Sequence, residues 1–203
     1  MSLPTSWGYT IEEEGLEFLP DMLTREEYAD LTAGKYGNDR RIPPTIKAAQ
    51  SAVRNYVGWH LYPALSCEFE TDSLDTGHIV QLPSRYVSAV ESVTVDGREL
   101  EPEEYAFKTS GLLYLKKPPA RKGWNDVKVR FVSGLPEAHM DAVKELLGHR
   151  VTHAMAASHG VQSEAAGGVS VTYNANWINS ARATALPDDN KEVLAAYRLQ
   201  GVY

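Results

Sequence analysis

Residues 127–155 read VKVRFVSGLPEAHMDAVKELLGHRVTHAM, and within them the chain changes its period. Val127–Val132 is a short β-like run. After Gly134-Leu135 the apolar residues Met140, Val143, Leu147, Val151 and Ala154 or Met155 recur every three or four positions, the spacing of one helical face. Pro136 suits a first helical turn, where its missing N–H costs nothing, and Gly160 suits the far end. The spacing therefore predicts a helix of about 23 residues, the longest in the chain. A strand feeding a long helix makes this an α+β protein.

Downstream, Ala165-Ala166-Gly167-Gly168 lies in a segment, 161–168, too small and flexible in composition to pack by itself, and it is read as a mobile loop. The β-like Val169-Ser170-Val171-Thr172-Tyr173 follows. A short helix begun by Asp188 or Asp189 closes the chain, with Val193, Leu194 and Tyr197 on one side.

Upstream, residues 66–135 hold short β-like runs at His78–Leu82, Val87–Val95, Glu104–Lys108, Leu112–Leu115 and Val127–Val132. Asp96-Gly97 is a tight-turn signal between two of them, because such turns require positive φ. Before this block, Ile46, Ala49, Val53, Tyr56, Val57 and Leu61 repeat at helical spacing, with Lys47, Gln50 and Arg54 on another face. Pro63 is expected to stop that helix and Pro43-Pro44 to punctuate the loop before it. Its apolar face is expected to pack on the long helix. Thr24 and Glu27 have capping-box spacing at the start of a short helix running to Leu31 and ended by Gly34. Residues 1–20 read as an extended arm anchored by Trp7, Leu16 and Phe18. The expected architecture is a small helical bundle core, 21–65 with 136–203, interrupted by a mainly antiparallel β-rich insertion at 66–135.

The chain has 203 residues, 43% of them hydrophobic, and a net charge of −7. That is enough apolar material for a packed core, and the acidic balance argues against a generally basic nucleic-acid surface. A single cysteine, Cys67, excludes an intramolecular disulfide and a multi-thiolate zinc site, and is expected to be a buried, inert thiol. No secretory signal pattern and no run of about 18 apolar residues occurs, so neither secretion nor membrane insertion is expected.

Catalytic patterns are few. His149 and His153 stand at i and i+4, a spacing compatible with a divalent metal, with His139 and His159 nearby on the same expected helix. The glutamate that follows the first histidine in zinc proteases is absent, so a metal-binding module or metal-dependent enzyme is the alternative to a packing role. There is no Gly-x-Ser-x-Gly elbow. Gly167-Gly168-Val169-Ser170 lacks the lysine of a phosphate loop and reads as a hinge. Asp188-Asp189 and Glu103-Glu104 suit capping and solvation. Lys116-Lys117-Pro118-Pro119-Ala120-Arg121-Lys122 is the only basic cluster, with Trp124 beside it. It fits a soluble hairpin loop better than a nucleic-acid site. No cofactor is implied.

The order of these pieces resembles the head-tail connector, or adaptor, proteins of tailed bacteriophages and prophages. The resemblance rests on Leu23–Glu27 before the short helix, Val87–Gly97, Val129–Pro136 leading into the long helix, the Gly-rich segment to Tyr173, and Leu194–Arg198. It covers most of the chain from about residue 21. It implies a non-enzymatic virion subunit, assembled in the host cytoplasm, forming a ring of about twelve copies below the portal. Such a ring extends the DNA channel and docks the stopper or tail completion protein. DNA would pass without sequence-specific binding, and no membrane is involved. It further implies that Gly167, Gly168, Val169, Ser170, Val171, Thr172 and Tyr173 form a loop ordered on assembly. Tyr197, Arg198, Leu199, Val202 and Tyr203 would contact the portal or a neighbouring subunit. The block at 66–135 and the acidic arm depart from shorter members. A carbohydrate- or peptide-binding role for the β block is a further alternative.

Overall fold

The computed structural model describes every residue except 1, 14, 35–38, 73–77, 118–125, 158–162, 167–168, 173–185 and 200–203, and the main chain alone at 163–166 and 169–172. In chain order the elements are β1 (Leu3–Pro4), β2 (Thr10–Ile11), α1 (Arg25–Leu31), α2 (Ile42–Val57), β3 (Leu65–Thr71), β4 (Ile79–Gln81), β5 (Val87–Val95) and β6 (Arg98–Glu99). They continue with β7 (Tyr105–Phe107), β8 (Leu112–Leu115), β9 (Val127–Ser133), α3 (Asp141–Ala157), β10 (Ser163–Ala166), β11 (Val169–Thr172) and α4 (Asp188–Ala195). Helices and antiparallel sheets together make the α+β class expected from the change of period.

Two compact units share the chain. The first comprises residues 1–20, 57–137 and 197–203, and the second 21–56 and 138–196.

In the first unit a six-stranded sheet has the order β1-β2-β3-β9-β5-β6, and a three-stranded sheet the order β4-β8-β7. All these pairings are antiparallel. At the centre, β9 alternates buried Val127, Val129, Phe131 and Ser133 with more exposed residues, the period-two pattern of a strand with one face on a core. On its other face Lys128 bonds Glu68 at 2.7 Å and Glu70 at 3.1 Å across the ladder to β3. The β5–β6 hairpin turns at Asp96 (φ 52°) and Gly97 (φ 77°), the paired positive φ that a two-residue hairpin needs.

Several expectations change here. β3 was not foreseen, although Leu65, Cys67 and Phe69 alternate along it with Ser66, Glu68 and Glu70. The N-terminal arm adds two short strands to its edge, and the buried residues there are Tyr9 and Ile11; Phe18 is 77% exposed. Cys67 lies fully buried on β3, and burial, with Glu91 and Glu13 adding to it, pushes its thiol up to about 12. A thiol held that far from its anion is a poor nucleophile.

In the second unit α1 begins with the capping box: Thr24 Oγ1 accepts from the Glu27 N–H at 3.2 Å, and Glu27 Oε2 accepts from the Thr24 N–H at 2.7 Å. Pro43 and Pro44 sit inside the first turn of α2 rather than in a preceding loop, where their missing donors have no intrahelical use. That helix ends at Val57, with Gly58 at φ 80°, well before Pro63. Gln50 and Arg54, expected on a polar face, are 2% and 7% exposed. Gln50 earns its burial through hydrogen bonds: its Oε1 accepts from the Met22 and Leu23 N–H groups, and its Nε2 donates to Asp21 at 2.8 Å.

The long helix is shorter than its pattern suggested. Glu137–His139 forms a 3₁₀ turn and α3 runs from Asp141 to Ala157, so His139 stands outside it. Met140, Val143, Leu147, Val151 and Met155 are buried, as the spacing required, and Thr45 of α2 reaches Met155 Sδ at 3.9 Å. Residues 163–166, read as loop, form β10, paired with β11 from Ser163↔Thr172 to Ala166↔Val169. Of the three residues expected on one side of the closing helix, Leu194 is buried, Val193 is 47% exposed, and Tyr197, half-buried, lies beyond the end of α4.

Candidate functional site

The residues singled out in the sequence fall in three places. Val169–Thr172 are β11, half of a two-stranded sheet that is separate from the other two sheets. Gly167, Gly168 and Tyr173 lie outside the described residues. In a two-stranded sheet both strands are edges, each with one row of N–H and C=O groups turned away from its partner.

The C-terminal segment is held within the first unit. The Tyr197 carbonyl accepts from Trp59 Nε1 at 2.8 Å, and the Leu199 N–H donates to the Val57 carbonyl at 2.9 Å. The second bond satisfies an end carbonyl of α2 that has no intrahelical donor. Gly58, at φ 80°, turns the chain there, and a Cβ on it would lie 3.6 Å from Leu199 Cβ, an ordinary contact. Tyr197 and Leu199 are half-buried and Arg198 between them is exposed. Val202 and Tyr203 are outside the described residues.

His149 and His153 both lie on the exposed side of α3. The nearest acid to His149 is Glu145, with Oε1 3.7 Å from Nε2 and both side chains 72% exposed. Among the described residues no group of three or more His, Cys, Asp or Glu side chains is placed to hold a metal ion. No described helix is long and apolar enough to cross a membrane.

One feature of the second unit was not legible in advance. Between α1 and α3 lies a groove of about 930 Å³, lined by Glu27, Asp30 and Leu31 from one side and Asp141, Glu145 and Gly148 among others from the opposite side. Lys144 Nζ bonds Glu27 Oε1 at 2.6 Å, and the Tyr28 hydroxyl meets Thr152 Oγ1 at 3.1 Å beneath it. Thr152 in turn donates to the Gly148 carbonyl at 2.9 Å. The walls come from segments more than a hundred residues apart, so no local spacing marks them. Among the described residues the geometry offers sheet edges, a groove and charges.

The comparisons agree with a structural part. A family model described as head completion protein matches residues 21–199. The fold resembles a chain in the neck of a native GTA particle computed with C12 symmetry, with a TM-score of 0.54 at 13% identity over 95% of this chain and 97% of that one. It also resembles a chain in the neck of an empty GTA particle computed with C6 symmetry, with a TM-score of 0.50 at 14% identity over 93% and 95%. No curated protein matches the sequence.

Proposed function

The chain belongs to the head completion protein family, and from that premise we propose that it forms a ring between the portal of a DNA-filled capsid and the stopper or tail. It is a structural head-tail connector subunit of a tailed phage or phage-like particle. The observation that carries this reading is coverage. The family match spans both compact units, and the shared neck fold extends over 95% of the chain, so helices and β block belong to one kind of subunit.

A ring of about twelve copies is supported by the C12 symmetry of the related neck. Net charge of −7 per copy suits the wall of a DNA channel, because negative surfaces repel phosphates and let a duplex slide. The subunit catalyses no reaction in this reading; it becomes part of the virion during assembly in the host cytoplasm. The hairpin reaching Gly167–Tyr173 is the segment that neighbours would order, since a lone two-stranded ribbon is marginal in water and gains by pairing or packing. Of the C-terminal residues, Arg198 and those beyond Leu199, Val202 and Tyr203 included, would face the portal, with Tyr197 and Leu199 holding the segment in place.

The test uses the particle system that encodes the chain. Removing the protein should yield DNA-filled heads without tails, and purified chain should bind isolated portal and restore tail attachment. Failure to bind portal, with tails still attached in the deletion, would sink the reading.

A further inference from the structure

A closed ring of identical subunits needs a heterologous contact, in which one patch meets a different patch of the next copy. For a chain of net charge −7, like surfaces repel, so the two patches are best matched when one is cationic. The α1/α3 groove supplies the acidic member. Glu27, Asp30, Asp141 and Glu145 bring four carboxylates to it against one lysine, Lys144, whose ammonium is already engaged by Glu27. Leu31, 54% exposed, gives an apolar wall, and Gly148 leaves the floor between Leu31 and α3 without a side chain.

The basic member is the only cationic cluster of the sequence, Lys116, Lys117, Arg121 and Lys122, with Trp124 beside it. Lys116 and Lys117 are exposed directly after β8. The groove has the chemistry for such a segment: carboxylates for several ammonium and guanidinium groups, and an apolar surface for their methylene stems or an aromatic ring.

We infer that the Lys116–Lys122 run of one copy docks in the α1/α3 groove of the next. This rests on the ring reading above, and it assigns to that ring a salt-sensitive contact between subunits. Raising ionic strength from about 0.1 M to about 1 M shortens the Debye length from about 10 to about 3 Å, which weakens the rim of such a contact.

Two measurements on the full chain test it. Asp30→Cys chain mixed with Lys117→Cys chain should give a disulfide-linked dimer containing one of each; buried Cys67 does not compete. Only an intermolecular contact yields that product. In sedimentation experiments, Lys116→Glu with Lys117→Glu should weaken self-association roughly tenfold, and adding Asp30→Lys with Glu145→Lys should restore it. All four side chains are exposed, so circular dichroism should be unchanged. Absence of the mixed dimer, association indifferent to the reversals, or a loss that the swap does not recover would each overturn the inference. So would a lysine variant that loses only DNA binding. If these variants still enter necks beside the portal, the inference alone falls; if wild-type chain is absent from necks, the ring reading falls with it.

Discussion

The phenolic oxygen of Tyr9 is bonded twice to His60: it lies 2.7 Å from Nδ1 and accepts from the His60 main-chain N–H at 3.0 Å. On the far side of the ring, Nε2 meets the Pro63 carbonyl at 3.0 Å and the Ser133 carbonyl at 2.9 Å. Carbonyls only accept, so Nε2 carries a proton toward them, and the Tyr9 hydroxyl is the partner of Nδ1. The imidazole is fully buried at the junction of the N-terminal arm, the segment after α2 and the end of β9.

Tyr9→Phe strips the hydroxyl that serves two buried groups of one residue. The cost should be roughly 2–4 kcal/mol, since a buried donor or acceptor left unsatisfied costs about 1–3 kcal/mol each. Urea unfolding of the variant against wild type measures it. A change within about 0.5 kcal/mol would mean that the arm does not depend on this bond.

Gly134→Ala should be far worse than Gly97→Ala. Gly134 has φ 136°, and a Cβ there would sit 2.2 Å from the Pro63 carbonyl oxygen and 2.6 Å from Ala64 Cα, both main chain. Main chain cannot swing aside, so a loss of roughly 2–5 kcal/mol is expected. Gly97 also has positive φ but meets nothing within 4 Å, and its substitution should cost only about 1–2 kcal/mol. Thermal melts of the two variants rank them; equal losses would contradict the steric argument.

Gly148→Ala should stabilise the second unit. The residue lies inside α3, where alanine is favoured over glycine by about 1 kcal/mol. The new methyl would approach Leu31 Cδ1 at 3.3 Å, the end of a flexible, half-exposed side chain that can turn away. Hydrogen exchange of α3 amides should slow. Faster exchange would show that Leu31 cannot yield.

Acid should weaken the α1–α3 contact through Glu27. Burial raises this carboxyl, but hydrogen bonds from Lys144 and the Thr24 N–H, with the lysine's charge, outweigh it and hold it below the ordinary 4.5. A carboxylate depressed in the folded state stabilises above its unfolded value, and that contribution is lost as pH falls through the folded one. Stability should therefore decline below about pH 4.5. In Lys144→Met the Glu27 titration followed by NMR should move upward. An unmoved midpoint would mean that Lys144 does not hold it.

Much of this fold was legible because its signals are local. The capping box at Thr24 and Glu27, the Asp96-Gly97 turn and the stripe from Met140 to Met155 each depend on neighbours within a turn or a hairpin. Misreadings came where distant partners overrode local preference. Gln50 looks like a surface residue on α2, yet Asp21, Met22 and Leu23 satisfy its amide and draw it inside. Pro63 looks like a helix stop, but the chain had already left the helix at Gly58.

The sequence by itself determined the α+β class, the helices, several of the strands and the turn chemistry, because periodicity and backbone restriction act over a few residues, and the order of its pieces carried the resemblance to head-tail connector proteins. Tertiary structure alone decided where the acidic groove opens, which polar side chains are buried, and that Leu199 satisfies the last carbonyl of α2. Those relations join residues separated by tens to more than a hundred positions, and only packing and the need to satisfy buried donors and acceptors bring them together.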